Sequence, residues 1–262
     1  MYIDSHAHLE MEEYDKDRDE VVARAREAKI EAIVTVGTNL NDCRKAIALT
    51  QKYDDVYAAI GIHPHETKSA NKQVLDEMKK LAREKKVVAW GEIGLDLYHR
   101  YSPPEVQMEK FVEQLALAEE VDLPIVVHIR EAHEQVKEIL CAWQGKKRGV
   151  IHCFSGDISL ARLYLDRGYF ISVAGPVTFR NAQRLKDVVR YVPLDCLLIE
   201  TDAPFLSPHP YRGGRNEPAR VTLVAAEIAA LKKLTPEEVG KVTAQNTRLL
   251  FGIPERPTCI EK

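Results

Sequence analysis

The 262-residue chain is short of cysteine, and what it has is scattered: Cys43, Cys141, Cys153, Cys196 and Cys259, an odd number with no Cys-x-x-Cys pair. That argues against a disulfide framework or a thiolate zinc site, and free thiols suit a reducing cytoplasm, which is the expected location. Long apolar runs are missing too. None approaches the roughly 20 residues of a membrane span, and the opening MYIDSHAHLE has no basic stretch leading into an apolar one, so neither a membrane anchor nor a signal peptide is expected. Charge of one sign is not in excess. With a net charge of −3, a polyanionic ligand would need a local basic patch, because the global field does not attract it. Two catalytic signatures are absent as well. The first apolar run leads into Ser5-His6-Ala7-His8 rather than a Gly-rich phosphate turn, and no Gly-x-Ser-x-Gly elbow occurs. At 45% hydrophobic and 29% charged residues, the chain carries enough apolar material for a sizeable core and too much for disorder.

What is present is alternation. Apolar, β-branched runs fall at Tyr2–Ile3, Ala32–Val36, Val56–Ile62, Val87–Trp90, Pro124–Val127, Gly149–Ile151, Tyr169–Val173 and Cys196–Ile199. Helical spacing fills the gaps: Val21, Val22, Ala25 and Ala28 make one apolar face, and Cys43, Ala46, Ile47 and Thr50 another. Ser155 and Asp157 are candidate caps for a helix through Leu160, Leu163 and Tyr164 that Gly168 closes. Thr235-Pro236-Glu237-Glu238 reads as a capping box with proline in the first turn. Eight strand–helix repeats in about 250 residues predict a closed (β/α)8 TIM barrel. No linker or composition break divides it, so residues 1–262 are expected to form a single domain.

In such a barrel, reactive groups lie at the C-terminal strand ends. Six of the nine histidines fall there: His6, His8, His63, His65, His128 and His152, joined by Glu92 and Asp202. Strand alternation points His6 and His8 inward together, with Asp4 in the layer below, Glu200 beneath Asp202 and Val126 beneath His128. Mixed imidazole and carboxylate donors suit zinc, manganese or a similar divalent ion. The ligand set is expected to be His6, His8, Glu92, His128, His152 and Asp202. Six ligands exceed what one tetrahedral zinc accepts, so two ions are expected, with Glu92 bridging. Paired ions would activate a water, with Asp202 orienting it or taking its proton.

Other polar residues have ordinary alternatives. A lone His-x-His, or an acid after a strand, can be a strand-end polar group or a helix cap. His63 and His65 either touch substrate or brace their loop. His133 is expected on the surface, while His99 and His209 lie in loops without an assignment. Cys153 and Cys196 read as small packed residues, and Lys79-Lys80 and Lys85-Lys86 as solvated faces. Arg100, Arg130, Arg180, Arg212 and Arg215 occur on the expected catalytic side. Arg130, and Arg212 and Arg215 in their glycine-rich turn, are the candidates for gripping phosphate, since a guanidinium fork donates two parallel hydrogen bonds. Tyr98, Tyr101, Phe154, Phe179 and Tyr211 are candidates for stacking on bases.

The segments Asp4-Ser5-His6-Ala7-His8-Leu9, Gly61-Ile62-His63-Pro64-His65, Gly91-Glu92-Ile93-Gly94-Leu95-Asp96, Val127-His128-Ile129-Arg130 and His152-Cys153-Phe154-Ser155-Gly156 follow one another in order. So do Glu200-Thr201-Asp202-Ala203-Pro204-Phe205-Leu206, Arg212-Gly213-Gly214-Arg215-Asn216-Glu217-Pro218 and Asn246-Thr247-Arg248-Leu249-Leu250-Phe251. Together they resemble the TatD-type deoxyribonucleases of the amidohydrolase superfamily, along nearly the whole chain. The resemblance implies a TIM barrel and divalent-metal-dependent phosphodiester hydrolysis, with DNA as the usual substrate, often trimmed from a 3′ end. It implies ligation by the same six residues. Nothing in composition or spacing points to DNA, so that assignment rests on the likeness alone.

The expectation is thus a DNase of the 3′-end or single-strand exonuclease type, using two divalent ions (zinc, manganese or magnesium) with Asp202 and Glu92 as catalytic carboxylates. It would act on nucleic acid as a monomer, with no membrane partner. The rival within hydrolases is an ester or amide hydrolase such as a D-aminoacyl-tRNA deacylase. The rival outside enzymes is a metal-binding scaffold.

Overall fold

The strands and helices that form are those able to bury the apolar runs on both faces of a sheet. In the computed structural model, which describes residues 1–145 and 149–255, the strands are β1 (Tyr2–Ala7), β2 (Ile30–Gly37), β3 (Val56–Ile60), β4 (Val87–Asp96), β5 (Ile125–Arg130), β6 (Gly149–Ile151), β7 (Phe170–Val173) and β8 (Leu197–Ile199). They pair in sequence order, every neighbour parallel. The helices are α1 (Arg18–Glu27), α2 (Leu40–Lys52), α3 (Lys72–Leu81), α4 (Pro104–Glu120), α5 (His133–Ala142), α6 (Ile158–Leu165), α7 (Gln183–Tyr191), α8 (Val221–Lys232) and α9 (Pro236–Phe251). The ring closes between β8 and β1 just past the strand itself. The His8 amide donates to Ala203 (2.7 Å), the Asp202 amide to His6 (2.9 Å) and the Ser5 hydroxyl to Ile199 (3.0 Å). The fold is the TIM barrel that the alternation predicts.

Two apolar layers hold it. Ile3, Val34, Ala89, Val126 and Leu198 belong to an inner cluster, joined by Ala244, Phe251 and Ile253 from α9 and its end. α9 thus covers the N-terminal mouth, and Asn246 ties it there by donating to the Leu194 and Leu197 carbonyls. The outer cluster seals sheet against helices, with Trp90, Phe111 and Ile60 fully buried. Local signals behave as expected. Asp157 caps α6 through the Leu160 amide, and Thr235 and Glu238 form the capping box of α9. Cys43, Cys141, Cys153 and Cys196 are free; Cys259 lies outside the described residues.

Simple alternation fails at one informative place. Ile3 belongs to the inner cluster and Asp4 pairs with Ile33 of the outer one. Between Asp4 (opposite Ile33) and Ala7 (opposite Thr35), β1 carries one residue more than β2. This bulge reverses the facing, so His6 and His8 point inward although Asp4 does not. Asp4 instead braces the barrel seam from outside, accepting from the Thr201 amide (2.9 Å) and hydroxyl (2.6 Å). Glu200 and Val126 do lie inward below Asp202 and His128, as alternation predicts: Val126 and Leu198 are inner residues.

β4 runs past its apolar start because its wall needs close approach. A Cβ on Gly94, at φ +141, would lie 2.1 Å from the His128 carbonyl oxygen. Gly94→Ala is expected to cost about 3 kcal/mol, measurable by urea denaturation; a variant as stable as wild type would show that β4 and β5 can separate freely.

Candidate metal centre

Every strand end the sequence singles out delivers its side chain to one place. At the β1 bulge, the His8 Nδ1–H donates to the Val36 carbonyl oxygen (2.7 Å), which leaves its Nε2 lone pair facing the barrel axis. Glu10 approaches the same Nδ1 (3.4 Å) and is itself held by the Thr35 hydroxyl (2.6 Å). A second bulge in β4, between Gly91 and Ile93, turns Glu92 inward. His128 ends β5, His152 follows β6, and Asp202 occupies a left-handed turn (φ +55) after β8.

Glu92 is the hub. Its Oε1 is 2.6 Å from His128 Nδ1 and 2.7 Å from His152 Nε2, and its Oε2 is 3.5 Å from His6 Nε2 and 3.9 Å from His8 Nε2. Each carboxylate oxygen therefore faces its own imidazole pair. Within the pairs, the ring nitrogens are 3.3 Å apart (His6, His8) and 3.2 Å apart (His128, His152). Two nitrogens bonded at zinc distances to one tetrahedral ion lie about 3.3 Å apart. Asp202 Oδ1 joins the first pair at 3.4 Å from His8 Nε2 and 3.6 Å from His6 Nε2. His63 Nε2 stands 3.6 Å from Glu92 Oε1, on the side of the second pair.

The electrostatics suit a bound cation. Burial alone would raise the Glu92 pKa, but His152, His63 and His128 around it hold it well below the usual carboxylate range. Asp202 is lowered in the same way, against its burial, by the His8 hydrogen bond and the charge of His6. Burial would lower His8 and His152, yet carboxylates raise both: Asp202 and Glu10 for His8, Glu92 and Glu200 for His152. Protons on these imidazoles offset the buried carboxylates where no divalent ion does so. Several buried atoms, His6 Nδ1, His152 Nδ1 and Glu200 Oε2 among them, lack a hydrogen-bond partner. The donor set and its spacing fit divalent metal ions, and His6–His8–Glu92, His6–His152–Asp202 and His63–Glu92–His128 each form a group able to hold one.

Above this floor opens a cleft of about 640 Å³, rimmed by Tyr101, Arg130, Phe205 and Leu206. Arg130 lies over the Tyr98 ring, 4.5 Å from its centre. Of the other arginines singled out, Arg212 lies over Phe179 (4.4 Å), and Arg215 is held by Asp17 through two bonds of 2.7 and 2.6 Å. Arg215 also donates to the Glu13 carbonyl oxygen and covers the Tyr14 ring. Its fork is taken up in pinning the loop after β8 to the turn before α1. His133, expected at the surface, is half-buried against Phe154, with Ser155 Oγ 3.2 Å from its Nε2.

Three contributors escape the strand-end reading. Glu200 stands 3.3 Å behind His152, where carboxylates commonly orient a ligating histidine. Asp96 and His99 lie beside His65, with Asp96 Oδ2 2.7 Å from His65 Nε2 and 3.1 Å from His99 Nδ1. The available signal for Asp96 was its spacing, two and four residues beyond Gly94 and Glu92 on the same strand.

The family model described as TatD related DNase matches residues 3–252. The uncharacterized metal-dependent hydrolase YabD of Bacillus subtilis is 46% identical over 255 residues, covering 97% of this chain and 100% of that protein. A Klebsiella pneumoniae protein named 3′-5′ ssDNA/RNA exonuclease TatD is 37% identical over 251 residues, covering 94% and 95%. Among solved structures, the TatD homologue YJJV of Escherichia coli K12 superposes with a TM-score of 0.92 at 32% identity, covering 97% of this chain and 98% of that one. Among the described residues no helix is long and apolar enough to cross a membrane. Family match, barrel and clustered histidines and carboxylates agree: the chain belongs to the TatD-related DNase family of metal-dependent hydrolases.

Proposed function

We propose that this protein hydrolyses phosphodiester bonds in single-stranded nucleic acid, working from a 3′ end. The observation that carries the reading is the two-sided Glu92, each oxygen turned to a separate imidazole pair. One divalent ion would be held by His6, His8 and Asp202, the other by His128 and His152, with Glu92 between them. Bound there, such ions would acidify a water and neutralise charge at phosphorus. Asp202, whose side chain is 15% exposed at the cleft floor, takes the proton of the attacking water as the new P–O bond forms and the bond to the neighbouring nucleotide breaks. The Val36 carbonyl orients His8 from behind through a hydrogen bond, and the Glu200 carboxylate stands 3.3 Å behind His152. Tyr101, 61% exposed, rims the cleft, and Tyr98, 63% exposed, stands just beyond the rim beneath Arg130; both rings are suited to stacking on unpaired bases, and Arg130 supplies a donor for phosphate. The K. pneumoniae relative's name supports the choice of a single-strand end.

Metal-loaded protein incubated with end-labelled single-stranded oligonucleotide should release mononucleotides from the 3′ end, and much more slowly from a blunt duplex. Intact polymer would sink the reading, and freed amino acid from acylated tRNA would instead assign carbonyl hydrolysis to the same site. Tyr98→Ala is expected to raise KM for the oligonucleotide by about 5–150-fold, the equivalent of one lost base stack, with kcat little changed. An unchanged KM would remove this ring from the substrate path.

A further inference from the structure

We propose that His65, Asp96 and His99 form an additional divalent-cation site at the rim of the cleft, separate from the donors gathered round Glu92. Asp96 Oδ2 is the common point, 2.7 Å from His65 Nε2 and 3.1 Å from His99 Nδ1. The three donors are grouped closely enough to share one ion. Two imidazoles and a carboxylate are the donors of a zinc-type site with positions left over for water or a ligand oxygen. Burial is graded to match: Asp96 is fully enclosed, His65 half-buried and His99 exposed, so the open side faces the cleft.

The frame around these donors is rigid. Buried Gln107 clamps Asp96 at both backbone groups, accepting from its amide (2.9 Å) and donating to its carbonyl (3.0 Å). Asp96 Oδ1 is already occupied by the Tyr98 and His99 amides, which leaves Oδ2 as the outward-facing atom. Ser102 holds the His65 carbonyl oxygen (2.9 Å), and the Tyr101 ring stacks parallel to His99. Hydrogen bonds within the protein hold Asp96 and His65, so these donors are pre-positioned for an ion.

A further atom points the same way. His128 Nδ1 faces Glu92, while its Nε2 is buried, has no hydrogen-bond partner and lies 3.6 Å from Asp96 Oδ2. The rim donors and the inner donors thus touch through one ring. A cation at Asp96 would place positive charge at the cleft wall beside Tyr101 and Arg130, where a chain of phosphates passes if the substrate is nucleic acid. The site itself does not depend on that substrate.

The test uses the full chain, stripped with a chelator, reloaded with zinc alone and freed of unbound metal. Metal content should fall by one equivalent from wild type to His99→Ala, a change at an exposed ring that leaves the melting curve of the metal-stripped protein in place. The double variant His65→Ala/His99→Ala should lose the same single equivalent and no more. Anomalous diffraction from zinc-loaded crystals should show a peak within ligand distance of His65, Asp96 and His99. Equal zinc content in wild type and His99→Ala, or an anomalous map with no peak among these three side chains, overturns the proposal and leaves them as a hydrogen-bonded triad. Because the readout is metal content, failure of the nuclease reading would not alter it.

Discussion

Replacing Asp202 by asparagine is expected to lower kcat by about 10²–10⁴-fold, the usual worth of a positioned proton acceptor, while the protein stays folded. The substitution is a mild one for the backbone. Asp202 sits at φ +55, a region that asparagine tolerates as well as aspartate. The seam contact made here is the main-chain bond from the Asp202 amide to His6, which the change does not touch. What is lost is the charge and basicity of the carboxylate beside His8 and His6. Single-turnover rates with metal content measured alongside separate the two roles proposed for it. A variant of full metal content and sharply reduced rate fits a proton acceptor. A folded variant that cleaves as fast as wild type would remove Asp202 from the chemistry.

Stripping divalent cations is expected to have the second large effect, on stability as well as turnover. Four imidazoles and two carboxylates converge in a barely solvated space, and a ligand that binds only the folded form stabilises it. One ion at a thousand times its Kd contributes about 4 kcal/mol, or roughly 8–16 °C of Tm at this chain size. The pH dependence has a definite sign. His8 and His152 have pKa values raised well above 6.5 in the folded chain. In the stripped protein their stabilising contribution is complete below the unfolded value of about 6.5 and is lost as pH rises through the raised folded values. The gap in Tm between metal-loaded and stripped protein should therefore widen as pH rises above about 6.5. Melting curves with and without chelator across that range check it. Coincident curves at every pH, with hydrolysis intact in chelator, would sink the metal reading.

Much of the barrel was legible because its rules are local. Helical spacing located α1 and α2, the capping box opened α9, and β-branched runs found all eight strands. Strand lengths were less legible. β4 extends through Asp96 and β5 through Arg130, beyond their apolar starts, because the two strands go on pairing there, Gly94 with His128 and Asp96 with Arg130. α9, after the last β/α unit, plugs the N-terminal mouth, a task that no periodicity reveals.

The chain's own order of residues determined the fold class and which histidines and acids would meet, since strand period and the convergence of parallel strand ends at one mouth follow from backbone geometry alone. Only the tertiary structure decided how they meet. Bulges in β1 and β4 set which side chains turn inward, sending Asp4 out to the seam and bringing Glu92 between two imidazole pairs. Long-range partners settled the rest: Asp17 engages Arg215, and Asp96 gathers His65 and His99. A one-residue irregularity in register depends on the neighbouring strand, and a charge pair depends on a residue far away in the chain, so neither is written in the local pattern.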